Sequence, residues 1–150
     1  MNAPAGKVFV DTNILVYAHD LNAGTKRHRA ATELKRLLES QTGVLSIQVL
    51  QEFYVTVTKK VGNPISREEA MGLIEEYGKW EITGIGVDEI LKAVDLERRH
   101  KFHFWDALIV QAALASDCTQ LLSEDFQHGQ KIESLAVRNP FALDPSTEMS

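Results

Sequence analysis

The sequence predicts an α/β fold built on a central, mainly parallel sheet of five strands with helices on both faces. Three observations carry that expectation: short β-rich apolar runs, one or two stretches of helical periodicity between successive runs, and turn-forming residues where the two meet. Lys7 to Val10 is the first such run, and Ile14, Leu15, Tyr17 and Ala18 follow it at helical spacing. Gly24-Thr25 opens a second helix to about Ser40, with Ala30, Leu34, Leu37 and Leu38 on one face. Val44 to Ser46 is a second short strand, and Ile47 to about Val61 a helix carrying Leu50, Phe53, Tyr54 and Val57.

Gly62-Asn63-Pro64 breaks the pattern, and Ser66-Arg67-Glu68-Glu69 reads as a capping box that starts a helix to about Trp80. Glu81 to Ile85 is a third strand, Val87 to about Lys101 a helix, and Phe104 to Ser116 another, with Asp117-Cys118 at its end. Thr119 to Ser123 reads as a buried strand, Asp125 to about Lys131 as a turn of helix, and Ser134 to Val137 as the last strand. The expectation is one domain with its core at residues 7–141 and flexible ends at 1–6 and 144–150.

Composition narrows the class. The 150 residues are 44% hydrophobic, enough for one sizeable core, and a lone cysteine, Cys118, excludes a disulfide framework and a Cys-rich zinc site. That usage fits a reduced, cytoplasmic setting. No signal-like segment is present, and Asp106 and Gln111 interrupt the longest apolar run, so no membrane span is expected. A net charge of −5 argues against broad electrostatic coating of nucleic acid. Basic residues nevertheless bunch at Lys26 to Arg29, Lys59-Lys60 and Arg98 to Lys101, and the last group directly precedes Asp106.

Four carboxylates stand at the edges of apolar stretches: Asp11 after Val8-Phe9-Val10, Glu52 beside Leu50 and Phe53, Asp106 inside Phe104 to Ile109, and Asp125 after Leu121-Leu122-Ser123-Glu124. Singly, each has an ordinary reading as a cap, a turn residue or an exposed helical acid. Together they imply a group of partly dehydrated acids that stays ionised only with a compensating cation. Oxygen donors without His or Cys suit a hard ion, Mg²⁺ or Mn²⁺. In open parallel sheets the functional crevice lies at the carboxyl ends of the strands, where Asp11 and Asp125 both emerge.

In the segments Val8 to Tyr17, Gln48 to Phe53, Phe104 to Ile109 and Leu121 to Phe126, taken in that order, the chain resembles the PIN-domain ribonucleases, and most closely the VapC-like toxins of toxin–antitoxin pairs. The resemblance implies a PIN-like three-layer α/β/α sandwich that cuts single-stranded or looped RNA with Mg²⁺ or Mn²⁺. It implies Asp11, Glu52, Asp106 and Asp125 as the catalytic, metal-holding acids, Asp11 and Asp106 directly, with Asn13 and Ser123 in support. Ser123 stands where many members carry Thr. A homodimer and a small antitoxin protein are the implied partners. Arg98, Arg99 and Lys101 are expected to hold the RNA backbone beside the acids.

Two other classes stay open on these residues: a PIN nuclease of RNA maturation, and a non-catalytic PIN-like module binding RNA or protein. A haloacid-dehalogenase-type phosphotransferase is disfavoured because Asn13 stands where its second Asp belongs. Gly84-Ile85-Gly86 lacks a third glycine, Glu89 being in its place, and reads as a turn. His19, His28, His100, His103 and His128 show no zinc-like spacing.

Overall fold

The computed structural model describes residues 6–142; of the ends expected to be flexible, residues 1–5 and 144–150 lie outside the described residues. Strand β1 (Lys7–Val10) occupies the middle of the sheet, where Phe9 and Val10 are fully buried, as an unbroken apolar run requires when both faces are covered. It pairs in parallel with β2 (Gly43–Ser46) on one side and with β4 (Cys118–Leu122) on the other. Beyond β2 lies β3 (Glu81–Thr83), and beyond β4 lie β6 (Leu135–Arg138) and then β5 (Lys131–Ile132). The order 3-2-1-4-6-5 reverses direction between β1 and β4, which makes the carboxyl ends of those two strands the switch point.

Among the described residues, six strands stand in place of the expected five. The addition is β5, a two-residue strand antiparallel to β6, pairing Ile132 with Leu135 across a turn in which Glu133 has φ 56°. The helical turn expected over Asp125 to Lys131 is absent, and bends and turns fill that stretch. Cys118 begins β4 and is buried there, whereas the sequence placed it at a helix end. Asp117, in the left-handed region at φ 58°, reverses the chain just before it.

Among the described residues, six α-helices cover the sheet: α1 (Thr12–His19), α2 (Thr25–Ser40), α3 (Ile47–Val55), α4 (Arg67–Tyr77), α5 (Val87–His100) and α6 (Phe104–Ala115). Helix α6 is buried at every position from Ala107 to Ala113, so its uniformly apolar sequence reflects a central position and not an amphipathic one. Ser46 and Ser66 cap α3 and α4, their hydroxyls accepting from Val49 N at 3.2 Å and Glu69 N at 3.1 Å. Gly43 lets β2 pass under Trp80, whose ring carbon stands 2.3 Å from where a Cβ would lie.

After Val55, α3 continues as one π-helical stretch, Thr56–Lys60, in which Val61 N donates to Thr56 O at 3.2 Å. Apolar periodicity predicts a helix here, and the structure adds the wider turn. Phe53 and Tyr77 face each other edge-on at 5.8 Å inside the core and serve packing. Among the described residues, no helix is long and apolar enough to cross a membrane.

Candidate active site

All four acids singled out in the sequence line one open pocket of about 530 Å³ at the carboxyl edge of the sheet. Asp11 follows β1 and caps α1; its Oδ1 accepts from Thr12 N at 2.7 Å and its Oδ2 from the Ser123 hydroxyl at 2.7 Å. Ser123 is wholly buried at the end of β4, and its Oγ also accepts from Asp125 N at 3.0 Å. One hydroxyl thereby joins two of the acids. Asn13, the second residue of α1, donates to Asp125 Oδ2 at 3.0 Å and accepts from Glu124 N at 3.4 Å. Glu52, on α3, accepts from the Thr12 hydroxyl at 2.9 Å and from Gln48 Nε2 at 3.4 Å.

Asp106 comes from the first turn of α6, so residues from the starts of α1, α3 and α6 share the pocket. Amide groups at those ends give it a partial positive potential that favours anions. The carboxylates still dominate. Burial pushes the Asp11 carboxyl up to about 7, reinforced by the charges of Asp125 and Glu52 and opposed by the Ser123 and Thr12 hydrogen bonds. Asp106 is raised for the same reason, first by burial and then by Asp125, while His103 pulls it down and Glu52 pushes it up.

These residues fit a hard divalent ion by their chemistry. Every acidic donor is a carboxylate oxygen, and the acids are held only by neutral amides and hydroxyls, so the pocket is short of positive charge. Among the described residues, no three His, Cys, Asp or Glu side chains are gathered into a ready-made ion cage.

A family model described as PIN domain matches residues 8–131. The chain belongs to the PIN-domain family. Solved structures of similar fold include a toxin–antitoxin complex from Klebsiella pneumoniae, with 23% identity and a TM-score of 0.65, covering 91% of this chain and 100% of that one. VapBC2 from Rickettsia felis, bound to a DNA fragment from its promoter, has 21% identity and a TM-score of 0.63 over 88% of this chain and 97% of its own. The sarcin-ricin loop cleaving toxin VapC20 of Mycobacterium tuberculosis has 17% identity and a TM-score of 0.60, covering 77% and 87%. Among curated proteins, none matches the chain.

Within this PIN fold, Asn13 and Ser123 sit where the sequence expects support for the acids. The basic group does not. Arg98 pairs with Asp95 at 2.7 Å, and Arg99 pairs with Asp95 at 2.8 Å and Glu133 at 3.1 Å. Arg99 lines a different cavity together with Leu91, Leu96 and Glu133, and Lys101 is the left-handed cap of α5. None of the three lines the acidic pocket, although only a few residues separate them from Asp106 in sequence. Sequence reasoning missed Thr12 as the residue tying Glu52 to the start of α1, and assigned no site role to Lys60 or Trp105. Both of these line the pocket. The signal for Lys60 was present as a four-residue series, Gln48, Glu52, Thr56 and Lys60.

Proposed function

We propose that this PIN-domain protein is a Mg²⁺- or Mn²⁺-dependent endoribonuclease and the toxin of a toxin–antitoxin pair. The observation that supports the nuclease reading is the sharing of one pocket by Asp11, Glu52, Asp106 and Asp125, with Asp11 buried and lacking a cationic partner. Asp11 and Asp106 would hold the ion directly, and Glu52 and Asp125 would complete its surroundings. A bound divalent ion would supply charge compensation for the phosphate and acidify the attacking water.

The chain's own residues do the positioning. Ser123 and the Thr12 amide fix both oxygens of Asp11, which sets the direction of its remaining lone pairs. Thr12 Oγ1 and Gln48 orient Glu52, and Asn13 orients Asp125. With these supports on short elements of the sheet edge, the acids are arranged before substrate arrives, the condition under which electrostatic stabilisation is most effective. The helix starts around the pocket offer amide dipoles to the substrate phosphates.

The toxin assignment is supported by fold likeness to toxin–antitoxin complexes, and it carries with it a small antitoxin protein as partner. A homodimer is the further proposal. It is supported by exposed Val87, Leu91 and Val94, four and three residues apart on α5, a spacing that makes one apolar stripe. The deciding experiment is cleavage of RNA with Mg²⁺ or Mn²⁺ by the wild-type chain, Asp11→Asn and Asp106→Asn. Loss of at least about 100-fold in each variant is expected, in line with removing a group that acts on developing charge. Activity surviving in both refutes the assignment.

A further inference from the structure

We propose that Trp105 and Lys60 are the two ends of a groove for unpaired RNA, Trp105 stacking on an extruded base and Lys60 pairing with a backbone phosphate. This rests on the ribonuclease reading and adds to it the residues that select an unpaired strand. Trp105 is 63% exposed, an unusual state for the largest apolar side chain, and it borders the acids directly. Phe104 meets its ring at 5.3 Å and 70°, an edge contact that steadies the indole at its base while most of it faces solvent.

The two residues are related through α3 and its π-helical extension. Gln48 Nε2 donates to the Trp105 carbonyl at 3.4 Å, which joins the start of α3 to the start of α6. From Gln48 the pocket-lining positions recur every fourth residue, through Glu52 and Thr56 to Lys60. Twelve residues of helix span roughly 18 Å at the ordinary rise, somewhat less where the turn is wider. Trp105 therefore marks one end of the groove, Lys60 the other, and Glu52 lies between.

The charges of the pocket also call for such an arrangement. Its lining holds five carboxylates, Asp11, Asp20, Glu52, Asp106 and Asp125, against the single cation Lys60. Among the described residues Lys60 is paired to no carboxylate, whereas the arginines of α5 are committed to Asp95 and Glu133. A polyanion entering this pocket gains little from long-range attraction, so an uncharged source of affinity matters more here than in a basic groove. Stacking of a base on an exposed aromatic ring supplies it, and only an unpaired or extruded base presents a free face.

The test is binding of a fluorescein-labelled, unstructured oligoribonucleotide and of the same strand in a full duplex. It is read by anisotropy in EDTA with the wild-type background, and again in Mg²⁺ with the Asp106→Asn background. Trp105→Ala is expected to weaken single-strand binding at least about 5-fold, Trp105→Phe to weaken it less, and neither to alter duplex binding. Lys60→Ala should weaken binding and reduce the slope of log affinity against log salt by about one, with Lys60→Arg restoring it. Wild-type tryptophan emission should be quenched on binding, and that of Trp105→Phe, which retains only Trp80, should not.

Unchanged single-strand affinity in Trp105→Ala, equal losses on duplex and single strand, or no single-strand binding in either condition overturns the proposal. So does a Trp105→Ala chain that keeps its RNA affinity but changes its sedimentation, which would make the ring a protein contact. Failure of the ribonuclease reading is a separate result, seen as undiminished cleavage in the Asp11→Asn and Asp106→Asn chains.

Discussion

Two clusters of charged residues on this molecule use the same side-chain types to opposite effect. On the flank of the sheet, Glu33 of α2 receives both guanidinium nitrogens of Arg138 from β6, at 2.7 and 3.0 Å, and is also bonded by Arg36. Burial alone would push the Glu33 carboxyl up, but the two arginines outweigh it and hold it below its ordinary range. At the sheet's carboxyl edge Asp11 is more deeply buried, accepts only neutral donors and faces other acids, and its carboxyl rises to about 7. The first cluster is complete as it stands. The second is complete only with a positive partner from outside the chain, and that incompleteness separates a structural ion pair from a site.

Thermal melts with and without divalent ions break this comparison most sharply. Mg²⁺ or Mn²⁺ at about 100 times its dissociation constant should stabilise the folded chain by about 2.7 kcal/mol, a rise of roughly 5–10 °C in Tm for a chain of this size. No shift would remove the basis for a cation site. Repeating the melts across pH without divalent ions tests the same feature from the proton side. The folded chain holds the Asp11 proton up to about pH 7, whereas an unperturbed carboxyl releases it near 3.8, so folded molecules bind more protons between those values. Stability contributed by that protonated form is therefore lost as pH rises through this window. Asp11→Asn should flatten that part of the profile and melt higher than wild type above pH 7; a parallel profile would contradict the raised carboxyl.

Arg138→Met comes next in size. It leaves Glu33 partly buried beside Arg36 alone, and a loss of about 1–2 kcal/mol is expected in urea unfolding at neutral pH. The sign follows from the lowered Glu33 carboxyl: the pair's contribution is full above the ordinary carboxylate range and disappears as pH falls through it. A variant as stable as wild type would place the pair among decorative surface contacts. Arg98→Ala should have the smallest effect. Arg98 is mostly exposed and its bond to Asp95 joins neighbours on one helix, so the variant should unfold in urea at the wild-type midpoint with RNA affinity unchanged. A weakened affinity would restore the arginines of α5 to the RNA-binding surface.

The contrast also explains what was legible in the sequence. Asp11 and Asp125 could be placed because strand ends in a parallel sheet lead to one edge, and Asp106 because it opens an apolar helix. Glu52 was marked by its apolar neighbours Leu50 and Phe53, and the segments in family order gave it a role. Arg98 and Arg99 lie apart from the pocket because nearness along the chain does not survive the end of α5, where Lys101 has φ 61° and the guanidinium groups pair with Asp95 and Glu133. Strand β5 was invisible for a different reason. Two residues hold no alternation to detect, and Lys131–Ile132 is a strand only because Ala136 and Leu135 pair with it.

The π-helical stretch after α3 has a consequence for how the chain tolerates change in length. In an ordinary α-helix each residue turns the chain by about 100°, so removing one position between Thr56 and Lys60 would let the stretch close into regular α-helix. Lys60 would then keep nearly the same direction, because three α-helical steps of about 100° replace four narrower π-helical steps, and Gln48, Glu52 and the sheet behind them would keep their places. The one-residue surplus is therefore length the chain can give up without re-aiming the distal cation or disturbing the acids upstream.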